Sequence, residues 1–459
     1  MADETLQHAI DRAGGPVALL RDLPNAPDTI ARVPVAAEYT DWRSEQHAWR
    51  DACAFLDQSH HMVDLFVSGP DAVRLLSSVG VNSFVTFAPN TAKQLVVCNP
   101  DGQYIGDVIV FHLPDGTLDL VGREIIMDWV QFNAEAGSYD VTIVRDENTR
   151  RRKSGPPMFY RYEVQGPLAQ EVMARLLGRA PDLRFFQMGQ IELAGHTVNV
   201  LRHGMAGQPG YELFGPWVDG DEVRDLILSL ADEFSIHRVG ARAYSTANLE
   251  SGWVPSPLPA VFDGDDLRAF REWLGTKTIG VDALGSIGGS FFSPNIADYY
   301  LTPFDLGYEK IIAFDHEFVG REALERLAEQ PKRTKVTLVW HPDDVLAAVG
   351  LDFGEGLPAR TISMPKARYA LYQQDVVLAA GRPVGISMDC GYIANGHALV
   401  SLATLDAECS EIGREVTIVW GESPISAKPH IEQHRQVSIR ATVAPAPYGA
   451  FARGEYRAR

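Results

Sequence analysis

The stretch Gly210-Tyr211-Glu212-Leu213-Phe214, with Arg242-Ala243-Tyr244 and Leu249-Glu250-Ser251-Gly252-Trp253 downstream, decides how this chain is read. One carboxylate stands among apolar and aromatic neighbours, directly after a glycine-rich turn (Gly204, Gly207, Gly210). An ionised carboxylate buried there is costly unless a cation or a pair of hydrogen-bond donors meets it. The alternation across Tyr211-Glu212-Leu213 taken alone favours a strand glutamate facing solvent.

Outward from this stretch, two segments echo each other. Val63-Asp64-Leu65-Phe66-Val67-Ser68-Gly69-Pro70 leads into 71–80, and Arg161-Tyr162-Glu163-Val164-Gln165-Gly166-Pro167 leads into 168–178. Each predicts an alternating strand, a Gly-Pro turn and a helix with proline near its start. Val73, Leu75 and Leu76 in one, and Val172, Met173, Leu176 and Leu177 in the other, recur at helical spacing. The chain therefore reads as a duplicated strand–helix unit. Further strands are expected over 94–98, 104–112, 191–193 and 197–201, and helices over 124–136, 221–234, 265–274 and 320–329. The acidic run Asp263-Gly264-Asp265-Asp266 is expected to start a helix rather than hold a metal. After Gln330-Pro331-Lys332 the segments 334–340, 384–388, 398–402 and 416–420 are short, β-branched and well separated, as in a small all-β domain. The tail 444–459 is expected to be peripheral. The fold class is α+β, divided into 1–160, 161–330 and 331–459.

With 459 residues there is length for two or three domains, and 46% hydrophobic with 22% charged residues suits a soluble globular protein. No apolar run nears the roughly 20 residues of a membrane span. Acids at Asp3 and Glu4 stand where a signal peptide carries bases, so a cytoplasmic location is expected. A net charge of −19 repels phosphate backbones and disfavours nucleic acid as a partner. Cys53, Cys98, Cys390 and Cys409 form no Cys-x-x-Cys pair and read as small core residues. His430-x-x-x-His434 lacks the glutamate of a zinc protease, and Gly285–Ser290 does not fit dinucleotide spacing. No metal is expected. The oligomeric state is left open.

The quoted motifs, together with Arg202-His203-Gly204-Met205-Ala206-Gly207 and Ser251-Gly252-Trp253-Val254-Pro255, resemble the glycine-cleavage T-protein (aminomethyltransferase) family. The details are similar to its tetrahydrofolate-dependent aryl O-demethylase branch, which acts on methoxylated aromatic acids such as vanillate and syringate in lignin breakdown. The resemblance implies a pseudo-symmetric pair of antiparallel sheets backed by helices, with a terminal β domain closing over the folate. It implies that Glu212 grips the N–H and NH2 edge of the pterin, with Val121 and Trp253 lining the folate site. Tyr244 is expected to protonate the departing phenolate, for which a phenol of similar proton affinity is well matched. Arg123, at the end of an alternating strand, suits an aromatic carboxylate with its planar fork, although it equally starts the next helix. Gln58 and His61 are placed by the family pattern in the aryl pocket, and His60 beside them. Neighbouring strand residues point to opposite faces, so the histidine pair rarely chelates one ion.

Two departures narrow the reading. Tyr244-Ser245 and Gly106-Asp107 stand where aminomethyltransferases carry Arg-Asp and a pair of acids, which disfavours amine chemistry. Ala31-Arg32-Val33 lacks an N-terminal tyrosine found in vanillate demethylases, which tilts the expectation towards syringate. The rival readings are a folate-dependent aminomethyltransferase or amine demethylase, and a non-catalytic folate-binding protein. The Lys-Gly-Cys-x-x-Gly-Gln-Glu motif of the latter is missing here.

Overall fold

The computed structural model describes residues 4–22, 34–275, 285–429 and 431–454. Both echoed units form as read: strand Val63–Ser68 with helix Ala72–Val79, and strand Phe159–Gln165 with helix Ala169–Leu177. The glycines that turn each strand into its helix have φ of 117° (Gly69) and 129° (Gly166). A Cβ would sit 2.5 Å from Asp140 O at the first and 2.6 Å from Ala52 O at the second, so only glycine fits.

Each unit continues as a three-strand meander whose last strand returns beside the first. In the first sheet the order is Thr91–Cys98, Tyr104–His112, Leu118–Gly122, Val63–Ser68, Thr142–Asp146. In the second it is Met188–Leu193, His196–Arg202, Gly210–Pro216, Phe159–Gln165, Cys53–Asp57, Ile236–Val239. The symmetry breaks at one place. Cys53–Asp57, which precedes the first unit in sequence, inserts into the second sheet between Phe159–Gln165 and Ile236–Val239, and so interlocks the halves.

Strand alternation sorts the residues by face. Leu65, Val67, Leu118 and Leu120 pack under helices Ala72–Val79 and Glu124–Ala136. Tyr162, Val164, Tyr211 and Leu213 pack under helices Ala169–Leu177 and Gly220–Leu228. The opposite faces look at each other, and Phe111 and Val121 of one sheet meet Phe214 of the other. Asp64, Asp119, Arg161, Glu163 and Glu212 lie on these facing surfaces, so a polar layer sits inside the sheet pair.

Several expectations need correction. The helix over 221–234 is two, Gly220–Leu228 and Ala231–Phe234, broken where Ser229 Oγ donates to Leu226 O. The helix over 265–274 spans only Arg268–Trp273. Its acidic forerunner does not cap it, because the carbonyls of Val261, Asp263 and Gly264 wrap the Arg271 guanidinium. The C-terminal region closes into a six-stranded barrel: Arg333–Trp340, Ala398–Asp406, Arg382–Ile393, Asp375–Ala379, Glu415–Trp420, Val437–Ala444. Two of these strands, Asp375–Ala379 and Val437–Ala444, were not foreseen. The described part of the tail is not peripheral. Gly449 N donates to Glu250 O at 2.9 Å, and Ala446 and Tyr448 pack on a shared core. The departure at Arg32 and the histidine His430 lie outside the described residues. Among the described residues no helix is long and apolar enough to cross a membrane.

Candidate active site

Tyr244 ends the short helix Ala241–Tyr244. The helix is pinned at its start, where Gly240 N donates to Glu45 Oε2 at 2.8 Å. The Tyr244 hydroxyl lies 2.9 Å from His61 Nε2, and the rings meet edge to face with centroids 5.1 Å apart. Burial pushes the His61 imidazole down to about 4, so it is neutral near pH 7. With the proton on Nε2, His61 donates to the Tyr244 oxygen, and the phenol's own proton is free to point elsewhere. Burial, then the nearby charges of Glu163 and Glu212, hold the Tyr244 phenol well above its ordinary range. Tyr244 is therefore a half-buried phenol held in its protonated form.

Glu212 is buried, at 3% exposure. Its Oε1 accepts from Arg161 Nη1 at 2.8 Å, a partner that sequence reasoning missed. Arg161 Nη2 also reaches Asp64 Oδ1 at 2.8 Å and Asp119 Oδ2 at 3.2 Å. Its guanidinium is stacked between Phe111 and Phe214, 4.8 and 4.6 Å from the ring centres. Among the described residues Glu212 Oε2 takes no hydrogen bond. That open acceptor on a buried side chain fits the N–H edge of a pterin, and an oriented carboxylate there binds through charge-assisted bonds. Val121 packs with Phe111 and Phe214, on the face that carries Asp119.

Directly across the ladder from Glu212 stands Glu163, fully buried. It accepts from Met205 N at 2.7 Å and from Gln58 Nε2 at 2.5 Å. Burial raises its carboxyl to about 8, the Glu212 charge adding to the effect. Glu163 was also missed, although the alternation in Arg161-Tyr162-Glu163-Val164-Gln165 signals that Arg161 and Glu163 share one face. Gln58 is thus committed to Glu163. His60 does not join the cluster around Tyr244: its Nδ1 lies 2.9 Å from Thr149 Oγ1, its Nε2 3.8 Å from Asp57, and its ring meets Trp217 edge-on. The two histidines stand in the turn between strands Cys53–Asp57 and Val63–Ser68, not on a strand as expected, and it is this turn that sends their rings to different partners.

Arg123 sits, half-buried, at the junction of strand Leu118–Gly122 and helix Glu124–Ala136. It donates to Pro255 O at 2.7 Å and to the Tyr372 hydroxyl at 3.0 Å, joining the first sheet to the 253–259 loop and the C-terminal region. Trp253 Nε1 donates to Asp107 Oδ2 at 3.2 Å. Asp107 also accepts from Gln94 at 2.5 Å and from the Tyr104 hydroxyl, and burial raises its carboxyl. Asp107 shares the strand face of Ile109 and Phe111, so the Trp253 indole N–H meets the first sheet on the side that Val121 also lines.

The family described as GCVT N-terminal domain matches residues 30–255. The chain is 43% identical to the syringate O-demethylase of Sphingobium sp. (strain NBRC 103272 / SYK-6), over 99% of this chain and 98% of that protein. It is 28% identical to the sesamin methylene transferase of Sinomonas sp. (strain No.22), over 83% of this chain and 82% of that one. Among solved structures, the glycine cleavage system aminomethyltransferase T of Bartonella henselae superposes with a TM-score of 0.60 over 91% of each chain, at 17% identity, which shows the fold. Fold, acid-lined inter-sheet site and full-length similarity agree: the chain belongs to the glycine-cleavage T-protein (aminomethyltransferase) family, in its tetrahydrofolate-dependent aryl O-demethylase branch, and is a methyltransferase.

Proposed function

We propose that the enzyme transfers the methyl group of a methoxylated aromatic acid, syringate ahead of vanillate, to N5 of tetrahydrofolate. The observation that carries this reading is the Tyr244 hydroxyl, 2.9 Å from a neutral His61 and kept protonated by burial and by Glu163 and Glu212. An aryl ether yields its methyl group only if the departing oxygen is protonated or hydrogen-bonded, and a half-buried phenol kept protonated supplies that proton. His61 supports the developing tyrosinate from Nε2. Glu212, held by Arg161, orients the pterin through Oε2. Arg123 receives the aromatic carboxylate, and Trp253 and Val121 wall the site against water, which strengthens every polar contact in it. Gln58 and His60 act one layer out, through Glu163 and through Thr149 and Asp57. The four cysteines, all buried free thiols, suit the reducing cytoplasm as the place of action.

The test is a panel of syringate, vanillate and 3-O-methylgallate with tetrahydrofolate, products followed by mass spectrometry. One 5-methyltetrahydrofolate per phenol formed is expected, with the highest kcat/KM for syringate. Folate consumption with methylated amines and none with aryl ethers would overturn the reading.

A further inference from the structure

We propose, resting on the reading above, that Tyr372 is a positioning residue for Arg123. It fixes the guanidinium plane that receives the substrate carboxylate, so the C-terminal region sets the preference for aromatic acids over uncharged aryl ethers.

The contacts are direct. Arg123 Nη2 donates to the Tyr372 hydroxyl at 3.0 Å and Nη1 donates to Pro255 O at 2.7 Å, so both terminal nitrogens are anchored, from two different segments. The guanidinium carbon stands 5.7 Å from the centre of the Tyr372 ring. Both anchors are neutral oxygens. They hold the plane of the guanidinium without themselves cancelling its charge, and a bidentate grip on a carboxylate depends on that plane. Gly122, immediately before Arg123, lies against Val108, where a Cβ would stand 2.6 Å from the valine Cγ1. Val108 follows Asp107, which accepts from the Trp253 indole N–H. Arg123 is thus tied to the same part of the first sheet that Trp253 meets.

Tyr372 is held as firmly as the arginine. It is 1% exposed and shares the apolar core of Ile125, Ile126 and Leu258 in the first half. A phenol buried in such a core is oriented by the hydrogen bond its hydroxyl makes, and here that bond goes to Arg123. Its short strand Tyr372–Gln373 pairs in parallel with Ile287–Gly288. Tyr372 N donates to Ser286 O and Gln374 N to Gly288 O, each at 2.9 Å. The partner strand is fixed in turn by Lys428, whose Nζ donates to Ile287 O and stands 3.3 Å from Glu422 Oε1, both side chains fully buried. A buried ion pair gains little stability over apolar packing, and this one anchors the strand beside Tyr372.

Turnover of the full chain with tetrahydrofolate tests this, with syringate and with syringamide, in which a neutral carboxamide replaces the carboxylate. The wild type is expected to favour the acid by at least about tenfold in kcat/KM. Y372F keeps the ring and removes the hydroxyl. It should raise the KM for syringate about tenfold, leave kcat and the KM for folate within about twofold, and leave the KM for syringamide unchanged. A merely structural role would weaken acid and amide alike or lower kcat, and either result overturns the proposal, as does an unchanged KM for syringate. Wild-type protein that demethylates both substrates equally well overturns the positioning role and leaves the demethylase reading standing. Wild-type protein that demethylates no aryl ether overturns that reading, and the positioning role with it. Should Y372F fail to fold, 3-fluorotyrosine placed at position 372 serves, the same ring with a weaker acceptor oxygen. It should raise the KM for syringate and not that for syringamide, and an unmoved KM for the acid counts against the proposal.

Discussion

Tyr244 and Arg161 show how differently two residues of one site declare themselves. Tyr244 stood out as a candidate because Tyr244-Ser245 replaces the Arg-Asp of aminomethyltransferases and because a phenol is chemically matched to a phenolate leaving group. Replacing it with phenylalanine removes the proton but not the packing, so kcat should fall about 10²- to 10⁴-fold with folate affinity unchanged, as measured by turnover and by ligand titration. Arg161 was not legible, since an arginine in a strand reads as surface until its partners are known. It is 2% exposed and bonded to three carboxylates. Arg161→Met leaves those acids buried without a cation, and should cost about 3–5 kcal/mol in denaturant unfolding. Gln58 and His60 make side-chain contacts that the sequence does not report. Their side-chain partners, Glu163 and Thr149, are 105 and 89 residues away in sequence, beyond what a local pattern reports.

At the scale of elements, the paired strand–turn–helix units were readable because period-2 and period-3.6 patterns abut at a Gly-Pro turn. The turn glycine carries more than conformation. Gly166 ends the strand that bears Arg161 and Glu163, and a Cβ there would press on Ala52 O of the interlocking segment. Gly166→Ala should therefore destabilise by about 1–3 kcal/mol and lower kcat as well. Gly69→Ala, against Asp140 O, should lower the melting temperature with a smaller effect on kcat, because its strand supplies only Asp64 to the polar layer. The barrel strands Asp375–Ala379 and Val437–Ala444 went unforeseen. A short apolar run such as Asp375–Ala379 has too few residues to display a period, and closure of a barrel is a property of pairing, not of any one strand.

At the scale of the whole molecule, the site sets a pH dependence on stability. The Glu163 carboxyl is raised from 4.5 to about 8, so its contribution is complete below pH 4.5 and is lost as pH rises through 8. The His61 imidazole is lowered from 6.5 to about 4, so its contribution is present above pH 6.5 and is lost as pH falls through 4. The two slopes oppose each other between 4.5 and 6.5; of the two, the Glu163 slope, about 1.4 kcal/mol per pH unit, remains between 6.5 and 8, and Asp375, raised to about 7 by burial, adds in the same sense up to pH 7. Thermal unfolding of the substrate-free protein should show stability falling across that upper window, and Glu163→Gln should flatten it. An unaltered slope in the variant would assign the dependence to other groups.

The chain's sequence by itself determined the duplicated α+β frame, the strand-rich C-terminal region and the family, and it singled out Tyr244, His61, Arg123, Glu212 and Trp253 as candidates, because periodicity and motif spacing are written in consecutive residues; the helix Pro342–Gly350 inside the C-terminal region was not foreseen. Only the tertiary structure decided that Cys53–Asp57 interlocks the halves, that Arg161 holds Glu212, that Glu163 stands beside it, and that residues 446–449 close back on the helix Ala247–Ser251. The reason is physical. Charge pairing and proton affinity depend on what faces a group across a sheet or between sheets, and those neighbours are chosen by packing long after the local pattern has ended.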